Sequence, residues 1–262
     1  MTLYKHEMKM NQKSLLLWTL CVGFTCFGCI LLYTSLESSV KDMADSFSNM
    51  GSMSTALGMD KMSLATLRGY YATEIAMMHN LLGAMFAAIL GTGILSKEEA
   101  GHTSEFLHTF PIGRERVVFQ KYLAFLSNIL IFNLVCAGMY LLGFLYMKEE
   151  ISGKEMAFFH IATSLMQIEI GTVCFLISAF VKRNLLGAGL GISIMLFAAD
   201  MMYRILPAIE NLKYVTPFYY SNAADIFTDG KLNGTMVTIG AMITIVSFVA
   251  ALLRYRSKNL AP

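Results

Sequence analysis

No lysine or arginine falls inside any of the long apolar runs of this sequence, and Asp, Glu, Lys and Arg together make up only 15% of its 262 residues. With 56% hydrophobic side chains and a mean hydropathy of +0.57, the chain has too little polar surface for an ordinary soluble domain. Its apolar residues fall instead in blocks as long as a bilayer crossing, which marks an integral membrane protein. A formal net charge of +2 is too small to draw the chain to nucleic acid. A Gly-rich phosphate loop is lacking as well, so any nucleotide chemistry belongs to a partner.

Other absences narrow the class further. The first apolar run follows a basic stretch but has no small-residue cleavage site, so it reads as a retained anchor. No internal repeat with Gly- or Pro-broken helices in matching halves is visible, which counts against a secondary transporter. A membrane-embedded protease or lipid-modifying enzyme needs convergent His, Glu or Asp at membrane depth, and the spacing of His102 and His108 on a charged connection fits no ligand pair. The five cysteines, Cys21, Cys26, Cys29, Cys136 and Cys174, all lie in apolar runs. Two thiols on one helical face at Cys26 and Cys29 are too few for a zinc site, so space-filling free thiols are expected and no metal site is assigned.

What is present is an all-α membrane protein, one transmembrane domain over residues 1 to 262. Six spans can be drawn, at about residues 15 to 36, 71 to 95, 122 to 147, 157 to 181, 185 to 203 and 234 to 253. With both termini in the cytoplasm, the inside segments hold twelve Lys and Arg and the longer outside loops hold eight. That bias places the termini, the connection 96 to 121 and Lys182 and Arg183 inside.

The connection between spans two and three carries eight charged side chains in the 25 residues from 97 to 121. Ser96 and Glu99 have the spacing of a capping box. Ala100, Thr103, Phe106, Leu107 and Phe110 then recur at helical spacing until Pro111 and Gly113 stop the helix. One face is apolar and the other carries Glu98, His102 and Glu105. Such a helix can lie on lipid headgroups or fill a socket on a cytosolic partner; acidic residues beside anionic lipid weigh against the first.

The run "EEAGHTSEFLHTFPIGRERVVFQKYLA" resembles the hairpin of type-2 ATP-binding-cassette (ABC) export permeases, with Glu98, Gly101, Glu105, Phe106, Leu107, Pro111 and Arg114 in the family's order. Three other stretches are similar to the same family: "HEMKMNQKSLLLWTL", "LISAFVKRN" with Lys182 and Arg183, and "YVTPFYYSNAADI". The resemblance implies a six-span permease in a bacterial plasma membrane. It would pair with a second permease copy and two ABC ATPase subunits, which would hold the ATP and Mg. It also implies that the helix from about 97 to 110 is the coupling helix, and that short helices before span six dip into the outer leaflet.

Three further features carry expectations. Leu3, Tyr4, Met8 and Met10 interleave with Lys5, Glu7, Lys9 and Lys13, the pattern of an interfacial helix on membrane lipids ahead of span one. Val40, Met43, Phe47 and Met50 recur at helical spacing before a "GSMS" break; with Met53, Met59 and Met62 they allow a soft-metal reading, although Met is also a common gap filler. At membrane depth, a charge costs about 2.5 to 3.5 kcal/mol on insertion scales, so Glu169 is expected to face protein or water. His79, Asn80, Asn128, Asn133 and Asp200 are its possible partners, and His79, Asn80, Asn133, Asp200 and Glu169 are the candidate lining of a substrate path. Helix-to-helix hydrogen bonding explains the same residues without any substrate.

Overall fold

A computed structural model describes residues 2–48, 51–101, 103, 112–183 and 185–258. Among them six helices are long and apolar enough to cross a membrane. Span one is part of the helix Thr2–Ser48; span two is Leu67–Ile94, span three Arg114–Met147, span four Gly153–Phe180, span five Leu186–Ile205 and span six Gly234–Ser257.

The first of these corrects an expectation. No Gly or Pro occurs before Gly23, so nothing interrupts the backbone hydrogen-bond ladder, and the basic amphipathic segment is simply the opening turns of the span-one helix. At about 1.5 Å per residue that helix is about 70 Å long, more than twice the hydrocarbon core. Span three likewise begins at Arg114, ahead of the apolar run, because the amphipathic turns after Gly113 join it without a break. Span two contains a π-helical turn over Tyr71–Ile75.

Spans two and four are the most buried and pack on each other; span one lies on three, six on four and five on two. Lipid tails give no hydrophobic drive between helices, so close backbone approach decides such contacts. A Cβ placed on Gly91 would stand 2.2 Å from the Gly171 carbonyl oxygen, which is why the two central helices cross at glycine. Before span six, Pro207–Tyr214 forms a 3-10 helix and Ala223–Asp229 a short α-helix capped by Asn222, whose Oδ1 accepts from the Asp225 amide at 3.1 Å.

The connection after span two starts with one helical turn, Lys97–Ala100, ended by Gly101. The expected capping box does not form. Ser96 has helical backbone angles and its hydroxyl donates to the Thr92 carbonyl at 3.2 Å, so it continues the end of span two and caps nothing. His102, Glu105, Phe106, Leu107, Pro111 and the rest of the expected helix to residue 110, apart from Thr103, lie outside the described residues, as does Met50.

Candidate functional site

Three acids and three bases meet where the hairpin leaves the bundle. Lys121 is completely buried, and its ammonium uses all three donors: Glu7 Oε1 at 2.9 Å, the Ile94 carbonyl at 2.7 Å and Glu98 Oε1. Glu7, also completely buried, accepts from Lys97 through its other oxygen. Beside them Lys258 lies 2.6 Å from Glu99 Oε1 and donates to the Val181 carbonyl at 2.8 Å. Arg114 Nη1 donates to the carbonyls of Arg256 and Lys258, each at 2.9 Å.

This hub ties the first turn of the hairpin to the span-one helix, to span three and to the chain end after span six. The opening turns of the span-one helix and Lys258 therefore lie at the same end of the bundle as the hairpin. Glu98, whose carboxylate the sequence reading aimed outward, gives one oxygen to Lys121, and Arg114 is engaged with backbone inside its own chain. Glu99, expected in a capping box, is instead buried against Lys258, with a side chain only 7% exposed. Lys182 and Arg183 are exposed on the turn between spans four and five. The sequence reading missed Glu7, Lys97, Lys121 and Lys258; the available signal was a lysine abutting an apolar run, where burial demands an acid from elsewhere.

A second polar layer crosses the interior of the spans. Tyr140 and Asn133 of span three hold His79 of span two, with Nδ1 at 2.9 Å from the Tyr140 hydroxyl and Nε2 at 3.1 Å from Asn133 Oδ1. Asn133 Nδ2 in turn donates to Gln167 Oε1 at 2.7 Å. Asn80 points elsewhere: it donates to the Ser221 carbonyl at 2.8 Å and accepts from Thr163 at 2.7 Å. His160, a span-four histidine that the sequence reading passed over, sets its ring edge-on to that of His79, with 5.4 Å between ring centres.

Glu169 belongs to neither group. None of the partners expected for it touches it; the Tyr220 hydroxyl donates to Glu169 Oε2 at 2.8 Å. That hydroxyl comes from the segment before span six, for which the family resemblance implied short helices and no contact with Glu169 was expected. Gly240 of span six makes room for the carboxylate, since a Cβ there would stand 2.4 Å from Oε2. A narrow cavity beside it is lined by Glu169, Lys213, Thr216, Tyr220, Met236 and Gly240. Asp200 is buried at the other end of span five from the hub, bonded to Arg204 at 2.9 Å, and Arg204 also approaches Asp225 at 3.6 Å. Lys61 completes this cluster on Asp225 at 2.7 Å; partial burial opposes its charge, but the Asp225 carboxylate outweighs that and raises its pKa.

The bundle therefore has a charged hub at the hairpin base, hydrogen-bonded glue through its middle, and one carboxylate facing span six. A family model described as ABC-2 family transporter protein matches residues 1–260. The chain belongs to the ABC-2 transporter family. No curated protein matches it. The family match takes in all six spans, the hub and the segment bearing Tyr220, so every feature above is part of an ABC transporter permease. The permease is a transport component of the membrane, built of helices that cross it several times.

Proposed function

We propose that the permease is half of an ABC exporter: two copies, or this chain and a homologous permease, form the membrane path, and two separate ATPase subunits drive it with ATP and Mg. The observation that carries this reading is the family match over residues 1–260, joined to a sequence without a phosphate loop. Both termini and the hairpin face the cytoplasm of a bacterial cell, in keeping with the lysine and arginine bias. The connection from about 97 to 110 is the coupling element, although its opening helical turn Lys97–Ala100 ends at Gly101 and Thr103 is not helical, and Glu98, Gly101, Arg114 and the hub set the angle at which it leaves the bundle. An apolar or amphipathic compound suits the apolar spans.

Glu169 is the residue through which the path acquires polarity. Its support is its place at mid-span with a single described hydrogen-bond donor, Tyr220, and a glycine opposite. Glu169→Gln keeps the shape and the Tyr220 bond, so it is expected to fold normally and to change transport, or substrate-stimulated ATPase activity of the assembled exporter, several-fold. Transport by Glu169→Leu at the parental rate, with normal membrane levels, would remove Glu169 from the path.

A further inference from the structure

At the end of the bundle that carries the hub, an open groove of about 480 Å³ lies between spans three and six, lined by Gly113, Arg114, Glu115, Arg116 and Arg256. Its three guanidinium groups face one carboxylate, and that carboxylate is already paired with Arg256 at 3.0 Å. Arg114 is turned to backbone carbonyls, whereas Arg116 and Arg256 are exposed. The groove thus has a net charge of two positive units.

Both helices continue from the groove as apolar stripes. On span three, Arg116 is followed at helical spacing by Phe119 and Leu123, which are 55% and 46% exposed. On span six, Arg256 is preceded by Leu253 and Val249, at 56% and 45%. The rings of Phe119 and Phe248 meet at 5.3 Å and those of Tyr122 and Phe248 at 4.4 Å, so the two stripes join in one seam. Next to it Arg254 lies over the exposed ring of Phe180 at 5.1 Å.

We infer that this groove and seam bind an anionic phospholipid, with Arg116 and Arg256 on the headgroup phosphate and the acyl chains along Phe119, Leu123, Val249 and Leu253. Cations at one end, about 10 Å of exposed apolar helix surface running from them and no described side chain covering either give the site the polarity of that one ligand class. A soluble anion would use only the arginines, and an acidic protein surface would leave the seam bare. Basic recesses between helices at the membrane edge recognise headgroups in this way.

The test is native mass spectrometry of the delipidated permease titrated with phosphatidylglycerol, phosphatidylcholine and glycerol phosphate. Arg116→Gln with Arg256→Gln is expected to fold, because both side chains are exposed and Arg114 holds Arg256 by its main chain; an unchanged melting curve checks this. The parent should prefer phosphatidylglycerol over phosphatidylcholine. The double variant should lose about 30-fold in affinity for phosphatidylglycerol alone, the effect of two surface arginines. Phe119→Ser with Leu253→Ser should weaken both lipids. Equal binding of the two lipids by the parent, displacement by glycerol phosphate, or full phosphatidylglycerol affinity in the arginine variant would overturn the site. So would loss of a copurifying ATPase from that variant with lipid binding intact, which would make the groove a protein-docking surface.

Discussion

Lys121→Met should destabilise the permease by about 3 to 5 kcal/mol, the usual effect of removing one member of a buried ion pair. The substitution keeps the length and bulk of the side chain, so packing is not at issue. It leaves Glu7, with no exposed side-chain area, opposite a single lysine, and it leaves Glu98 Oε1 and the Ile94 carbonyl without their donor. In detergent the apparent melting temperature should fall by about 10 °C, with a matching drop in folded yield. Glu7→Gln with Lys121→Met should recover part of that loss, because the fully buried Glu7 carboxylate is then gone, although Glu98 Oε1 still lacks its donor. Coupling of this kind is non-additive by 0.5 kcal/mol or more, about the smallest effect expected. A melting curve for Lys121→Met that overlays the parent would show that the hub does not hold the hairpin to the bundle.

Phe106→Ala with Leu107→Ala should abolish copurification of the ATPase while membrane insertion stays normal. In a helix seated in a protein cleft the buried apolar anchors dominate, often by 2 kcal/mol or more each, whereas rim charges contribute about 1 kcal/mol or less. Truncating both anchors is thus expected to weaken the complex at least about 100-fold by that scale. Lys182→Gln, which alters an exposed charge at the same end of the bundle, should have a small effect. Glu99 would be a poor comparison, since its carboxylate is buried against Lys258 and its loss perturbs the hub itself. If the ATPase stays bound to the double variant and the chain only loses affinity for lipid, the hairpin is a membrane-surface element and the partner docks elsewhere.

The spans were legible because a bilayer imposes a length, and six apolar runs met it with boundaries that differ by a few residues at most ends. The start of span three and the unbroken first helix were not, because amphipathic turns add helix without adding hydropathy. Residues of the hub were invisible for a different reason. Glu7, Lys97, Lys121 and Lys258 belong to four different elements, and each alone looks like an ordinary charge beside a membrane; only the packing of spans one, three and six around the end of span two brings them together. His79 and Asn133 were read correctly as interior, and they do share one network. Glu169 was read correctly as needing a partner, but that partner, Tyr220, sits in a segment whose aromatic residues fit an interfacial belt equally well. Local pattern thus gave the elements, while pairings across 50 residues or more depended on the fold.

The central claim is that this chain transports but does not itself hydrolyse ATP. The direct measurement is ATP turnover by the purified permease alone in lipid vesicles, set beside the same permease reconstituted with its ABC ATPase subunit. The account predicts no hydrolysis by the isolated chain and substrate-stimulated hydrolysis by the assembled complex, lost again in the Phe106→Ala, Leu107→Ala variant. ATP turnover by the isolated, homogeneous chain would contradict it.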